Sequence, residues 1–434
     1  MNTDSPASTP APRKRRWARG FLIALLVLAA LLALLALGIR YALQPAVATH
    51  FILQQAGKSL GLEIAADGEP ELQLRGTPTL VVRGVHARQP GATREMLKAE
   101  RILLSLPWST LKSRGRQLDI QRVELDAPVL DLSALADWRR TRPPSAMQRL
   151  PTLTRGLRVH RGQLLGEGWK MADVGIDLPY FAPDKPLAAR VAGRYEAEAM
   201  QLPFDLHIAL SKPDTSAALG LAGDVTPTAR DWKLPMHLRL SAPMHWGDDG
   251  LRLQPAKLGA RARYEGGGEP LPFVIGAFGP ARISKDGLDW PALALALRGE
   301  GVVPDLDGHG ALHASHRLAL SLAGRIHAWP EAWPVLPKPL SASRSPLPFS
   351  LDYAGALDFS DVVAFELQRD ATRFDGQLRV RDVLAWREIA ATASPLPPLD
   401  GHLVTPRLDI AGAQLEGVEV DFEDPAIPPA DTKK

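Results

Sequence analysis

The chain has 434 residues, no cysteine and a formal net charge of +3. Five of its 51 Lys and Arg and one of its 48 Asp and Glu fall in residues 1–19, leaving 46 basic against 47 acidic side chains beyond them. That balance removes the electrostatic basis for a nucleic-acid partner, and the lack of cysteine excludes a small disulfide-stapled module.

Met1 to Pro12 is rich in Ser, Thr, Pro and Ala without periodicity, so it reads as a disordered start to a basic tail over 1–19. The run Phe21 to Ile39 follows, with nine Leu, two Ile, one Val, one Phe and no charge. At 1.5 Å per residue it covers about 28 Å, close to the hydrocarbon thickness of a bilayer, so a transmembrane helix is expected over 20–41. Arg13, Lys14, Arg15, Arg16 and Arg19 precede the run and only Arg40 follows closely. This asymmetry keeps the N-terminus in the cytoplasm and sends the rest across. Ala46-Val47-Ala48 has the small-x-small form of a signal-peptidase site. The apolar run is longer than the roughly 7 to 15 residues of a signal peptide, so the expected outcome is a retained anchor.

Thr49 to Leu60 carries apolar residues at mixed helical spacing, with Gly61 placed to cap a short helix. From Leu62 onward the apolar period becomes two, the signature of strands. Ala172, Val174, Ile176 and Leu178 alternate with Asp173, Gly175 and Asp177, and Phe204, Leu206, Ile208 and Leu210 alternate with Asp205 and His207. Leu234, Met236, Leu238 and Leu240 do so against His237 and Arg239, with Pro235 marking an irregular start. Phe374, Leu378 and Val380 oppose Asp375, Arg379 and Arg381, and Val418, Val420 and Phe422 oppose Glu419, Asp421 and Glu423. One apolar and one charged face per strand predicts antiparallel pairing, because parallel strands buried on both faces read as continuous apolar runs. Gly266-Gly267-Gly268, Asp248-Asp249-Gly250 and Asp307-Gly308 read as turns. Only Arg94 to Ala99, Ser109 to Ser113 and Leu135 to Arg140 offer short helices. Trp329 to Pro348 and Thr141 to Pro151 read as irregular connections, and 424–434 as a disordered tail. Either two sheets close as a sandwich or one long sheet curls and leaves an apolar trough.

Candidate chemistry is sparse. Gly57-Lys58-Ser59-Leu60-Gly61 matches a nucleophile elbow in letters, but a helix precedes it and a strand follows, the reverse of what exposes such a serine. The same segment lacks the first glycine of a phosphate loop, where Ile52 stands. His309, His313 and His316 cluster, but Gly308 and Gly310 oppose a helix, and on a strand His316 points away from the other two. Trp329 and Trp333 fit a packed loop cap or a sugar-stacking platform. Carboxylates occupy the polar alternate positions of strands, as any solvated face requires. No catalytic residue, metal site or cofactor is expected.

The order of elements from Phe51 to Leu132 resembles the AsmA family of bacterial envelope proteins. The resemblance rests on the short helix ending at Gly61, on Leu62-Glu63-Ile64 with Gly68, and on Pro78-Thr79-Leu80-Val81-Val82 leading to Gly84-Val85. It continues through Met96 to Ile102, the break at Leu106-Pro107-Trp108, and Leu118 to Leu130. Pro406 to Gly412 and Val418-Glu419-Val420 are similar to the family's C-terminal strands. The resemblance implies a mainly β fold, an elongated, curled antiparallel sheet forming a groove over 45–423 behind one N-terminal transmembrane helix, with a few short helices. It also implies an inner-membrane protein with its bulk in the periplasm, a phospholipid in the groove, and a non-enzymatic part in outer-membrane biogenesis. The residues assigned above to apolar faces, Val174 through Phe422, would then line the groove. The alternative is an envelope scaffold with periplasmic or outer-membrane protein partners, assisting outer-membrane protein assembly or secretion.

Overall fold

The computed structural model describes residues 61–427 except 74, 113–118, 142–150, 199, 248, 267, 334–335, 337–339, 342–344, 390–396, 411–412 and 426. The expected transmembrane helix, the basic cluster Arg13 to Arg19, the short helix before Gly61, and Ser59 lie outside the described residues. Within them, no helix is long and apolar enough to cross a membrane.

The protein is mainly β, a single large curled sheet with few helices. β1 (Glu63–Ala66) and β2 (Glu71–Gln73) lie end to end along β3 (Thr79–Arg88), which pairs with β4 (Glu95–Ser105). Arg94 to Ala99 is thus mostly strand, not helix, because Met96, Leu97 and Ala99 are buried in pairing with β3. After α1 (Trp108–Lys112) and the two-residue β5 (Asp119–Ile120), β6 (Arg122–Asp126) and β7 (Val129–Asp131) share the far edge of β4.

α2 (Leu132–Arg140) starts where the Asp131 carboxylate accepts the Ala134 N–H at 2.9 Å, satisfying a free donor of the first turn. Leu135 and Trp138, three apart on one helix face, pack against Ala87, Met96 and Leu97. Beyond β8 (Thr152–Leu153), β9 (Leu157–Leu165) returns beside β6 and β7 in parallel, and β8 pairs in parallel with β5. The sheet is therefore mixed, not wholly antiparallel. The cause is the α2 crossover, since a chain that leaves a strand through a helix re-enters alongside it in the same direction.

From β9 the pairing is antiparallel and sequential through β10 (Trp169–Leu178), β11 (Leu187–Ala197), β12 (Met200–Leu210), β13 (Ser216–Val225) and β14 (Met236–Gly247). It continues through β15 (Gly250–Tyr264), β16 (Leu271–Ser284), β17 (Gly287–Gly299), β18 (Asp305–Ala314) and β19 (Leu318–Ala328). β20 (Leu347–Gly355), β21 (Val363–Arg369), β22 (Thr372–Leu378), β23 (Asp400–Ile410) and β24 (Ala413–Phe422) complete it, with α3 (Val380–Ile389) between β22 and β23. Two positions of the 22-stranded sheet are shared by short collinear strands, so the ribbon is 20 strands deep, about 95 Å at ~4.8 Å per strand.

Proline shapes its middle. Pro243, Pro255, Pro280 and Pro291 sit at the register shifts of β14, β15, β16 and β17. Proline cannot donate to a ladder and is tolerated inside a sheet at bulges, so four neighbouring strands break pairing at one level and crease the ribbon there. Apolar residues of β17 to β23 are buried although, among the described residues, no second sheet or helical layer covers them. Their neighbours are walls of the same curled sheet together with Trp329, Leu336 and Leu340 from the β19–β20 connection.

Candidate functional site

Cross-strand partners share a sheet face, so register reveals what each face presents. One row begins at Val82, Ile102, Leu125, Val159 and Ile176 on β3, β4, β6, β9 and β10. It continues without a break through Val191, Leu206, Gly223, Leu238 and Ala260 on β11 to β15. It ends with Ile275, Leu297, Leu306, Ile326 and Leu347 on β16 to β20. No member is polar.

A second row on the same face starts at Ala189, Ile208, Leu221, Leu240 and Leu258 on β11 to β15. Ala277, Leu295, Gly308 and Gly324 carry it across β16 to β19, and Phe349, Leu367, Phe374, Leu403 and Val420 across β20 to β24. The Phe349 ring lies 3.6 Å from where a Gly308 Cβ would be, filling the place that glycine leaves empty. Asp307-Gly308 is accordingly mid-strand, not a turn.

The face is packed at both ends and open between them. At one end Leu104, Leu106, Ile120 and Val123 are fully buried together with Leu178 and Phe181. At the other, Leu340 from the β19–β20 connection is buried among Ile326, Leu347 and Phe349. Arg369 holds that connection, donating to the carbonyl oxygens of Leu340 and, at 2.6 Å, Ser345. Over β11 to β14 the apolar residues Leu206, Ile208, Leu210, Leu221, Leu238 and Leu240 are only half-buried.

The opposite face is charged and largely paired. Arg190 Nε donates to Asp205 at 2.7 Å, Arg194 Nε to Glu196 at 2.7 Å, and Lys170 lies 3.0 Å from Glu196. Hydrogen bonding from Arg190 holds the Asp205 carboxyl below its usual range, and Arg194 and Lys170 do the same for Glu196. His327 lowers Asp307 likewise.

The sequence-assigned residues divide. Ile176, Phe204, Leu206, Ile208, Leu210, Met236, Leu238, Leu240, Phe374, Leu378, Val418, Val420 and Phe422 lie on the apolar face of their strands. Val174 and Leu178 are buried, Leu178 within the packed end. Leu234 precedes β14 in a connection, its N–H donating to Pro227 O at 2.9 Å, because strand pairing starts only after Pro235. Val380 opens α3 and packs near Leu318, Tyr353 and Val363, so the alternation that linked it to Leu378 ends at a helix. Leu293, Leu295 and Leu297, and Leu318, Leu320 and Leu322, were missed although they alternate as cleanly as the residues chosen.

His309 and His313 project from β18 on the charged face, His313 lying 3.9 Å from Asp289, while His316 sits in the following turn. Among the described residues no group of three or more His, Cys, Asp or Glu is placed to hold a metal. Trp329 meets Trp333 edge-on at 4.7 Å, with Trp329 packed on the apolar core. Comparison with family models, curated proteins and solved structures gives no match.

Proposed function

We propose that the curled sheet is an apolar groove that binds phospholipid acyl chains in a non-enzymatic lipid-transfer protein of the bacterial envelope. The observation that carries this reading is the unbroken apolar row from Val82 to Leu347, half-buried over β11 to β14 while the reverse face is charged. An open face of that kind leaves apolar area in water, which an acyl chain removes at about 25 cal/mol per Å². A row without polar side chains also presents no fixed stopping point, so a chain can slide along it. The apolar run Phe21 to Ile39 supports an inner-membrane anchor, with the groove in the periplasm and the lipid destined for outer-membrane biogenesis.

Mass spectrometry of lipids co-purifying with the full chain tests the reading. Wild type should carry phospholipid, and Leu206→Asp with Leu238→Asp should carry none, because a carboxylate in the groove costs several kcal/mol to desolvate. Both positions are half-buried, so the double variant should stay folded. A lipid-free wild type would replace lipid transfer with the scaffold reading.

A further inference from the structure

The charged face carries a patch that the apolar groove does not explain. In register, Arg239 of β14 faces Gly259 of β15, which faces Gly276 of β16. A Cβ added to either glycine would meet nothing within 4 Å, so the floor between the strands is open. Lys257 and Arg261 flank Gly259, and Val274 and Phe278 flank Gly276, each two residues away on the same face. Val274 and Phe278 are 47% and 49% exposed, which is unusual for large apolar side chains on the outward face of a sheet.

The cations differ from their surroundings. Arg263 is paired with Glu265 at 2.7 Å, Arg298 with Asp305 at 2.6 Å and Arg373 with Asp375 at 2.8 Å on the same face. Arg239, Lys257 and Arg261 are exposed, and among the described residues none has a carboxylate within 4.0 Å. Like charges on neighbouring strands oppose folding, so stability supplies no reason for the three.

We propose that this patch seats on the anionic headgroup layer of a lipid bilayer. Arg239, Lys257 and Arg261 meet phosphates, and Val274 and Phe278 enter between headgroups. A bilayer fits better than an acidic peptide because β15 and β16 are paired on both sides, leaving no strand edge to bind a peptide backbone. What remains is side-chain contact, apolar tips with cations beside them on the neighbouring strand, as at membrane interfaces. This contact is independent of whether the groove holds lipid.

The chain has no cysteine, so a single one can report locally. Ala294, the register partner of Phe278, becomes Ala294→Cys carrying an environment-sensitive fluorophore, in the full chain held in phosphatidylcholine nanodiscs. Vesicles of phosphatidylcholine mixed with phosphatidylglycerol should shift its emission to the blue, and vesicles of phosphatidylcholine alone should not. Arg239→Gln with Lys257→Gln and Arg261→Gln should weaken the response about a hundredfold. Arg190→Gln with Arg373→Gln, which removes paired cations elsewhere on the face, should leave it unchanged. The basic tail over 1–19 is common to all variants, so it does not account for a difference between them. An absent shift, or an equal one in the triple variant, overturns the proposal. So does a probe silent to vesicles but responsive to polyglutamate, which would assign the patch to an acidic protein.

Discussion

The guanidinium of Arg381 lies 3.8 Å from the carboxylate of Asp231, although the two belong to opposite ends of the ribbon's strands. Asp231 is in the β13–β14 connection, and Arg381, in α3, also lies 3.6 Å from Asp358 in the β20–β21 connection. In a flat sheet β14 and β20 would stand six spacings apart, about 29 Å, with these connections leaving opposite ends. Adjacent strands rotate by roughly 20 to 25°, so six steps accumulate about 120 to 150° and turn the top of β20 toward the bottom of β14. The contact is thus a clasp across the curl.

Arg381→Glu sets three carboxylates against one another and should open the clasp. Arg381 and Asp231 are exposed and Asp358 is 32% exposed, so the coupling is about 1 kcal/mol at most and global stability should hardly change. Hydrogen exchange over Val380–Ile389 should quicken severalfold, and Asp231→Lys should restore part of the protection. Unchanged exchange would show that α3 stays docked without the clasp.

Packing at the closed end and openness in the middle predict unequal costs for the same truncation. Leu104 is 0% exposed, so Leu104→Ala removes methylenes from a filled core and should cost about 2 to 5 kcal/mol. Leu206 is half-buried, and Leu206→Ala should cost about 1 kcal/mol. Denaturant midpoints of the two variants compare them directly. Equal losses would mean that the middle is as closed as the end.

The strands were legible wherever alternation was carried by side chains of contrasting polarity, as in Phe204 to Leu210, because one apolar face is what burial selects. Three features were not. At Asp173, φ is +53° and the register shifts, so parity changes within β10 and Ala172 leaves the face that Ile176 occupies. Asp307-Gly308 reads as a turn because a glycine's letter does not say whether a neighbour such as Phe349 will fill its space. The parallel β6–β9 pairing depends on the α2 crossover, a long-range event that local periodicity does not encode. The apolar face was likewise legible strand by strand, whereas its continuity is a property of register between strands.

Two glycines of β16 should respond in opposite ways to alanine. Gly279 adopts φ +141°, and a Cβ there would lie 2.0 Å from Ala292 O and 2.9 Å from Trp290 Nε1. Gly279→Ala must distort the creased part of the ribbon, at roughly 2 to 4 kcal/mol. Gly276, three residues earlier, has open space, and Gly276→Ala should be neutral or stabilising by up to about 1 kcal/mol through the unfolded chain. Thermal unfolding of the pair tests the assignment. A tolerated Gly279→Ala would place the crease elsewhere.

The last strand pair should respond to pH with a definite sign. His402 Nδ1 lies 2.6 Å from Asp421 Oδ1, and the two are register partners on β23 and β24. The hydrogen bond to Asp421 raises the imidazole pKa above its ordinary 6.5, with Glu419 and Asp375 adding to the same effect. A raised folded pKa means that the folded state binds the proton more tightly than the unfolded chain. The pair therefore contributes fully below about 6.5 and loses its contribution as pH rises through the higher folded value. NMR titration of His402 should give a midpoint above 6.5, and Asp421→Asn should bring it down by removing the largest cause. Among the described residues β24 pairs only with β23, so this loss should fall on a strand held from one side. After correction for intrinsic base catalysis, amide exchange in β24 should quicken across that range in wild type and not in Asp421→Asn. A wild-type midpoint at or below 6.5 would remove the pair as a source of pH dependence.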